Sequence, residues 1–252
     1  MTMQRFQDKV ALITGASSGI GAASAQRLAA EGARVFGLGR DGDGLAATAQ
    51  AIDAAGGTAT MHSADIGKSS ECQAAVAACL ERYGQLDVLV NCAGGHVFRA
   101  LHEITEELWL QDLAVNLGGA FFLCQAAMPE LRKTGGNIVN IGSLASVEGQ
   151  AYSATYCSAK HGVLGLTRAL AVEFLNTNVR VNAVCPGGTN TPQIGKVGMP
   201  DGADFDLIMR TAGARGMSEA EDIAAVIAFV ASDEARAVHG AVYMADQGKT
   251  AG

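Results

Sequence analysis

The sequence is poor in aromatic and charged residues and has no excess of positive charge. Aromatic residues make up 5% of the 252 residues, charged residues make up 17%, and the formal net charge is -7. A nucleic-acid-binding protein needs a basic surface, so this charge argues against a nucleic-acid partner. The hydrophobic fraction of 49% is large enough to build a core, which excludes intrinsic disorder.

Long apolar runs and paired cysteine motifs are absent too. The longest apolar stretch, around residues 117–128, is too short and too glycine-rich to span a bilayer, and residues 1–8 hold no apolar core of a signal peptide. None of the six cysteines forms a CxxC pair, and the histidines show no ligand spacing, so we predict no metal site. We expect a cytoplasmic protein with reduced thiols and no membrane partner.

Short apolar runs alternate with helical patterns along nearly the whole chain. Seven strands are predicted, at residues 10–14, 34–38, 58–63, 86–90, 137–141, 180–184 and 241–244. Six helices are predicted, at residues 20–31, 45–55, 70–83, 106–133, 154–175 and 219–231. This order predicts a single α/β domain over residues 1–252, with a doubly wound parallel sheet and helices on both faces. The one long irregular stretch, residues 187–218, is expected to be a substrate loop.

A glycine-rich turn follows the first predicted strand. Its sequence, TGASSGIG over residues 14–21, leads directly into the first predicted helix. Glycines let a backbone approach a ligand closely, and the free N–H groups of a helix start bind an anion such as a pyrophosphate. A plain strand-to-helix turn is the alternative interpretation. The position at the start of an alternating chain favours dinucleotide binding by a Rossmann-type fold.

The end of the second predicted strand carries the residues expected to contact the ribose. An acidic residue here would bind the 2′-hydroxyl of NAD, but this chain has Gly39 and Arg40. The planar guanidinium of Arg40 suits a 2′-phosphate, although Asp41 lowers the local positive charge. NADP(H) is therefore the favoured cofactor and NAD(H) the alternative.

Tyr156 and Lys160 lie four residues apart in a predicted helix and therefore face the same way. A nearby ammonium stabilises a phenolate and lowers its pKa. The pair could thus exchange a proton with a carbonyl or alcohol oxygen. Such a spacing also arises by chance, so the pair alone is weak support for this chemistry.

Together these motifs resemble those of the short-chain dehydrogenase/reductase family in its single-domain form, and the resemblance covers essentially the whole chain. Residues 91–94, NCAG, resemble the family's NNAG motif, and residues 156–160 are its YxxxK motif. The resemblance implies four catalytic residues: Asn116, Ser143, Tyr156 and Lys160. It implies cofactor contacts from Gly15, Ser17, Ser18, Gly19, Ile20, Gly21, Gly39, Arg40, Asp65, Ile66, Asn91, Ala93, Gly94, Tyr156, Lys160, Pro186, Gly187, Thr189 and Thr191.

The resemblance also assigns roles. Tyr156 would transfer the proton, and Lys160 would lower its pKa and bind the nicotinamide ribose. Ser143 would hold the substrate oxygen, and Asn116 would bend its helix and position a water molecule. Chain position, separately from the resemblance, makes three residues candidates for lining the substrate pocket. His96 follows the NCAG motif, with a surface loop as the alternative, and Gln150 and Tyr152 lie between Ser143 and Tyr156.

Three positions depart from the family pattern. Cys92 replaces the second asparagine of NNAG, Thr189 stands where valine or isoleucine is common, and Gln247 replaces a glycine near the C-terminus. That last segment often lies at a subunit interface in the family. The resemblance therefore implies a homo-oligomer, most simply a tetramer, with Gln247 as the feature that weakens this expectation.

The predicted function is an NAD(P)(H)-dependent oxidoreductase that interconverts a secondary alcohol and a ketone. One alternative is a non-catalytic NAD(P)-binding regulator on the same fold. Another is a reductase of 3-oxoacyl thioesters, although Thr134 and Thr177 stand where arginines that dock an acyl carrier are expected. The sequence does not identify the small-molecule substrate or the direction of the reaction.

Overall fold

The computed structural model describes residues 3–213 and 215–251. At its centre lies a seven-stranded parallel sheet whose inner strands are largely buried, as expected of a sheet covered on both faces, while its two edge strands are partly exposed. The nine strands of the described chain, in order, are β1 (Val10–Thr14), β2 (Arg34–Gly39), β3 (Thr58–Ser63), β4 (Val88–Asn91), β5 (Asn137–Ile141), β6 (Arg180–Pro186), β7 (Thr189–Asn190), β8 (Ser218–Glu219) and β9 (Val242–Ala245).

Eight α-helices surround this sheet in the described residues. They are α1 (Gly19–Ala30), α2 (Gly42–Ala54), α3 (Ser69–Tyr83), α4 (Glu106–Leu113), α5 (Gly119–Thr134), α6 (Ala154–Glu173), α7 (Phe205–Met209) and α8 (Ala220–Ala231). Buried side chains of α1, α2 and α8 form one apolar core, and those of α3 and α5 form a second one. Successive residues of β1 alternate between these two cores, as the pleat of a strand requires.

The strand order places the chain reversal between β1 and β4. The sheet runs β3-β2-β1-β4-β5-β6-β9, and every neighbouring pair is parallel. The chain therefore winds outward from β1 in one direction and, from β4 onward, in the other. In such sheets the crevice at the carboxyl ends of the two central strands is the usual ligand site. The predicted Rossmann-type sheet is confirmed.

The prediction of one helix over residues 106–133 is wrong. Helix α4 ends at Leu113, and a π-helical turn, Ala114–Gly118, separates it from α5. Asn116 lies at the centre of that turn. Its side-chain amide accepts a hydrogen bond from the N–H of Gly95 and donates one to the carbonyl of Asp112. The interruption therefore occurs at the residue that the family resemblance assigns to a bend.

The stretch predicted to be a substrate loop, residues 187–218, is more ordered over its described residues than its glycine content indicates. It contains the short parallel pair β7–β8, a 3-10 turn at Ile194–Lys196, and α7. Asp204 begins α7 by accepting hydrogen bonds from the backbone N–H groups of Asp206 and Leu207, at 2.9 and 3.3 Å. Among the described residues, no helix has the length and apolarity needed to cross a membrane.

Candidate active site

The glycine turn after β1 is attached to the NCAG turn after β4. The hydroxyl oxygen of Thr14 accepts hydrogen bonds from the N–H groups of Cys92, at 2.9 Å, and of Ala93, at 2.8 Å. Gly15 has φ +71°, and a Cβ there would lie 3.1 Å from the Cα of Ala93. Since a side chain would be strained in that conformation and crowded against the second turn, glycine is needed for this close approach.

The start of α1 has the features of an anion site. Ser18 precedes the helix, and its side chain makes no capping bond to the helix N–H groups. A Cβ at Gly21 would collide with the carbonyl of Gly15, so the turn can close only with glycine there. The uncapped N–H groups and the positive end of the helix dipole fit a pyrophosphate. Thr191, beyond β7, lies against this turn, because a Cβ at Gly19 would be 3.1 Å from its side chain.

A positively charged side chain without an ion-pair partner among the described residues lies at the carboxyl end of β2. Arg40 is exposed and forms no ion pair with any described residue. The Asp41 carboxylate is used elsewhere, since it begins α2 by accepting from the backbone N–H of Gly44 at 3.2 Å. Asp41, which lowers the local positive charge, therefore forms no ion pair with Arg40. Gly39 lies beside Ser17, whose Cβ and Oγ would each be 3.3 Å from an added Cβ.

The segment after β3 is ordered by local hydrogen bonds. Asp65 accepts from the backbone N–H of Gly67 at 3.0 Å, and its own N–H donates to Glu71 at 2.7 Å. Ile66 is buried and packs in the second core. A cofactor contact from Asp65 and Ile66 stays a prediction.

The side chain of Asn91 is turned into the protein core. Its Nδ2 donates to Asn140 Oδ1 at 2.8 Å and to Cys124 Sγ at 3.3 Å. Asn140 in turn donates to Thr167 Oγ1 at 2.9 Å, which ties β4 and β5 to α6. A cofactor contact from Asn91 would therefore have to come from its backbone.

Two candidate catalytic residues meet at the NCAG turn. Asn116 accepts from the N–H of Gly95 at 3.0 Å and donates to the carbonyl of Asp112 at 3.1 Å. A Cβ at Gly94 would lie 2.8 Å from Asn116 Oδ1 and 3.5 Å from Lys160 Nζ. Lys160 is 4% exposed and donates to the carbonyl of Ile141 at 2.8 Å. Burial lowers the pKa of this ammonium.

Tyr156 and Ser143 complete the group. Burial raises the pKa of Tyr156, and a hydrogen bond with the Ser143 hydroxyl acts in the opposite direction. Lys160 Nζ lies 5.7 Å from the centre of the phenol ring and is bonded to Ile141 instead. The structure thus brings the four predicted residues together. The lowering of the Tyr156 pKa by Lys160 stays a prediction.

The three predicted pocket residues have different surroundings. The His96 ring stacks on Tyr156, with ring centres 4.3 Å apart and planes inclined by 20°. The hydroxyl of Tyr152 accepts from the N–H of Asp204 at 2.8 Å and so contacts the substrate loop. Gln150 has a buried Oε1 without a partner among the described residues. Of the three, His96 is in direct contact with the candidate proton-transfer residue.

The segment after β6 leads from the site to the substrate loop. Pro186 ends β6, and a Cβ at Gly187 would lie 2.8 Å from the Cα of Asp246. The hydroxyl of Thr189 donates to the carbonyl of Gly187 at 3.1 Å. This departure from the family pattern therefore stabilises the turn locally.

The other two departures from the family pattern, Cys92 and Gln247, are explained by their surroundings. Burial raises the pKa of Cys92 to about 12, so this thiol stays neutral. Gln247 has φ +57°, a conformation that glycine adopts more easily, and its side chain donates to Ser218 Oγ at 3.0 Å. That bond attaches the C-terminal segment to β8.

Sequence reasoning missed Asp112 as a member of the site. Its carboxylate accepts from Arg99 at 2.8 Å and from the Thr155 hydroxyl at 2.5 Å, next to Tyr156. It thereby joins α4, the segment after the NCAG turn and the start of α6. Its position four residues before Asn116, on the same helical face, could have identified Asp112 from the sequence.

Known proteins resemble this chain over nearly its full length. A family model described as short chain dehydrogenase matches residues 9–199. A 3beta-hydroxysteroid dehydrogenase of Mediterraneibacter gnavus is 35% identical, with 98% of this chain and 97% of that protein covered. A putative ketoacyl reductase of granaticin polyketide synthase from Streptomyces violaceoruber is 38% identical, with 91% and 88% covered. A short chain dehydrogenase from Mycobacterium paratuberculosis, solved bound to NAD, superposes with a TM-score of 0.91 at 30% identity, covering 98% of this chain and 100% of that one.

Proposed function

The chain belongs to the short-chain dehydrogenase/reductase family, and from this premise we propose that Tyr156 is its proton-transferring residue. The protein is an NAD(P)-dependent oxidoreductase that interconverts alcohols and ketones. The observation that carries the proposal is the convergence of Tyr156, Ser143, Lys160 and Asn116 at the carboxyl edge of the sheet, next to the glycine turn. The whole chain, 1–252, would act as one catalytic domain with residues 187–218 as its substrate loop.

The residues present fit a dinucleotide. The uncapped start of α1 would hold the pyrophosphate, and Gly15 and Gly21 leave the room that it needs. Ala93 and Gly94 would contact the cofactor from the NCAG turn, and Thr189 and Thr191 from the opposite side. When bound, the nicotinamide supplies or accepts the hydride at the substrate carbon.

The protein's own residues handle the proton. In ketone reduction the Tyr156 hydroxyl donates its proton to the substrate oxygen, and in alcohol oxidation the phenolate removes it. The Ser143 hydroxyl holds the same oxygen and fixes its distance from Tyr156. Because burial favours the neutral phenol, the unliganded site is prepared for reduction, and oxidation requires loss of the phenol proton.

We propose NADP(H) as the preferred cofactor, with NAD(H) as the alternative. Arg40 is exposed and unpaired within the described chain, and Asp41 is occupied in capping α2. Gly39 provides no carboxylate to repel a 2′-phosphate. A guanidinium can bind that phosphate through two parallel hydrogen bonds.

Two relatives and the proposed loop support a substrate class. The relatives are named for a hydroxysteroid and, as a putative enzyme, for a ketoacyl group, and the loop carries the exposed apolar residues Met199, Phe205 and Met209. We propose an apolar secondary alcohol or ketone. The resemblance to a ketoacyl reductase keeps a 3-oxoacyl thioester as a second candidate, but Thr134 and Thr177 would offer no cation to an acidic carrier protein.

We further propose a cytoplasmic homo-oligomer, most simply a tetramer. Leu110 of α4 and Phe121 of α5 are 56% and 43% exposed, and they lie in one apolar groove with Leu113, Leu117 and Leu166. A contiguous apolar groove of this kind is typical of a surface covered by another chain. The six cysteines are unpaired, which supports a reducing compartment.

Replacing Tyr156 with phenylalanine removes the hydroxyl and keeps the ring. We expect kcat to fall by about a hundredfold to ten thousandfold, while cofactor affinity changes little. Initial rates and fluorescence titration with NADPH measure the two quantities, with Tyr243→Phe as the matched control. In the wild type, kcat/KM for alcohol oxidation should rise with pH as the phenol loses its proton. A Tyr156→Phe enzyme with near wild-type kcat would refute the assignment.

Replacing Arg40 with alanine tests the cofactor proposal. The wild type should favour NADPH over NADH by about tenfold to a hundredfold in kcat/KM, because one charged hydrogen-bonding group distinguishes the two. The Arg40→Ala variant should lose most of this ratio, and Arg132→Ala, an exposed arginine of α5, should keep it. The proposal fails if the wild type uses NADH better, or if the ratio is the same in Arg40→Ala.

The oligomeric state is measured by light scattering at micromolar concentration. We expect a mass near four times the 25.7 kDa of the single chain, and a smaller mass for Phe121→Asp, because a charge would be placed in the apolar groove. A wild-type mass near 25.7 kDa would rule out the assembly.

A further inference from the structure

The His96 ring lies between two aromatic rings. It stacks on Tyr156 at 4.3 Å between ring centres, and it meets Phe98 edge to face at 4.6 Å and 73°. Both arrangements are favourable for aromatic pairs. One face of the Tyr156 ring is therefore covered by a residue that belongs to a different segment, the one that follows the NCAG turn.

The imidazole is also held by a directional hydrogen bond. His96 Nε2 lies 2.8 Å from Ser153 Oγ, and that hydroxyl also lies 3.1 Å from the carbonyl oxygen of Ala151. Either the ring nitrogen or the serine hydroxyl can donate in this contact, depending on the tautomer of His96. In both cases the contact fixes the rotation of the ring.

The backbone from the carbonyl of His96 to Phe98 is held by residues of the proposed substrate loop. Gln193 Nε2 donates to the carbonyl of His96 at 2.9 Å, and the N–H of Phe98 donates to the carbonyl of Val197 at 3.1 Å. The ring and its backbone are thus held independently. A group fixed in both ways can hold a neighbour in place.

The charge of His96 is suited to this position. Burial lowers the pKa of His96 to about 4, with smaller lowering by Arg99 and Lys160 and an opposing influence of Asp112. The ring is therefore neutral near pH 7. It contacts Tyr156 without adding a second positive charge beside Lys160.

We propose that His96 is a positioning residue, whose stacked, serine-anchored ring holds Tyr156 in the orientation needed for proton transfer. This inference rests on the proposed role of Tyr156. Small displacements of a reacting group cost large factors in rate, so an unsupported Tyr156 ring should transfer its proton more slowly. The contribution should appear mainly in kcat, since the ring acts through Tyr156.

The test compares three variants of the full chain in alcohol oxidation over a range of pH. His96→Ala removes the stacked ring, His96→Phe keeps a flat ring without the Ser153 bond, and His102→Ala changes an exposed histidine outside the site. We expect kcat to fall by about tenfold to a hundredfold in His96→Ala, to recover in large part in His96→Phe, and to stay unchanged in His102→Ala.

The pH profile separates positioning from general destabilisation. The groups that face Tyr156 are Lys160, the Ser143 hydroxyl and the thiols of Cys92, Cys157 and Cys185, all retained in these variants. Loss of the His96 ring admits water to the phenol, so the rise in oxidation rate should move to lower pH in His96→Ala. It should stay at the wild-type pH in His96→Phe.

Three results would overturn the proposal. They are a His96→Ala kcat within twofold of the wild type, a rise in KM alone, and a His96→Phe variant as slow as His96→Ala. Tyr156→Phe, measured in parallel, keeps the two hypotheses apart. If that variant is active, the role of Tyr156 fails; if it is inactive and His96→Ala is normal, only the role of His96 fails.

Discussion

The site is built around one buried ammonium group. Lys160 lies in α6 with 4% of its surface exposed, and its single hydrogen-bond partner in the described chain is the carbonyl of Ile141. Removing a charge from water is costly, and no carboxylate of the described residues compensates it. Burial accordingly lowers the pKa of Lys160. Since folding alone would not favour a buried, uncompensated ammonium, its presence indicates that Lys160 has a function.

The surrounding elements can be understood as supports for this group and for Tyr156. The chain Asn91–Asn140–Thr167 ties α6 to β4 and β5 inside the core. Asp112 ties the start of the same helix to α4 through Thr155. The helix that carries both residues is thus fixed near each end, which allows the proposed acid–base pair to be held in place.

Much of the fold could be predicted because it depends on local pattern. The alternation of apolar runs and helical segments is sufficient to predict the parallel sheet, and a glycine turn after the first strand indicates the ligand edge. The break at Asn116 was not predicted from the apolar pattern, because it depends on contacts with Gly95 and Asp112. The pairing of Thr189 with Ser218 and the stacking of His96 on Tyr156 likewise join residues distant in sequence. The capping role of Asp41 is local and could have been predicted from its position before α2.

We infer that Lys160 is kept for chemistry at a cost to folding. The most direct measurement is the free energy of unfolding of Lys160→Met in urea without cofactor, because methionine fills a similar volume without the charge. We predict that this free energy is unchanged or higher by about 1–3 kcal/mol, while cofactor binding and turnover are lost. A free energy lower by more than about 1 kcal/mol would contradict it, since Lys160 would then contribute to folding.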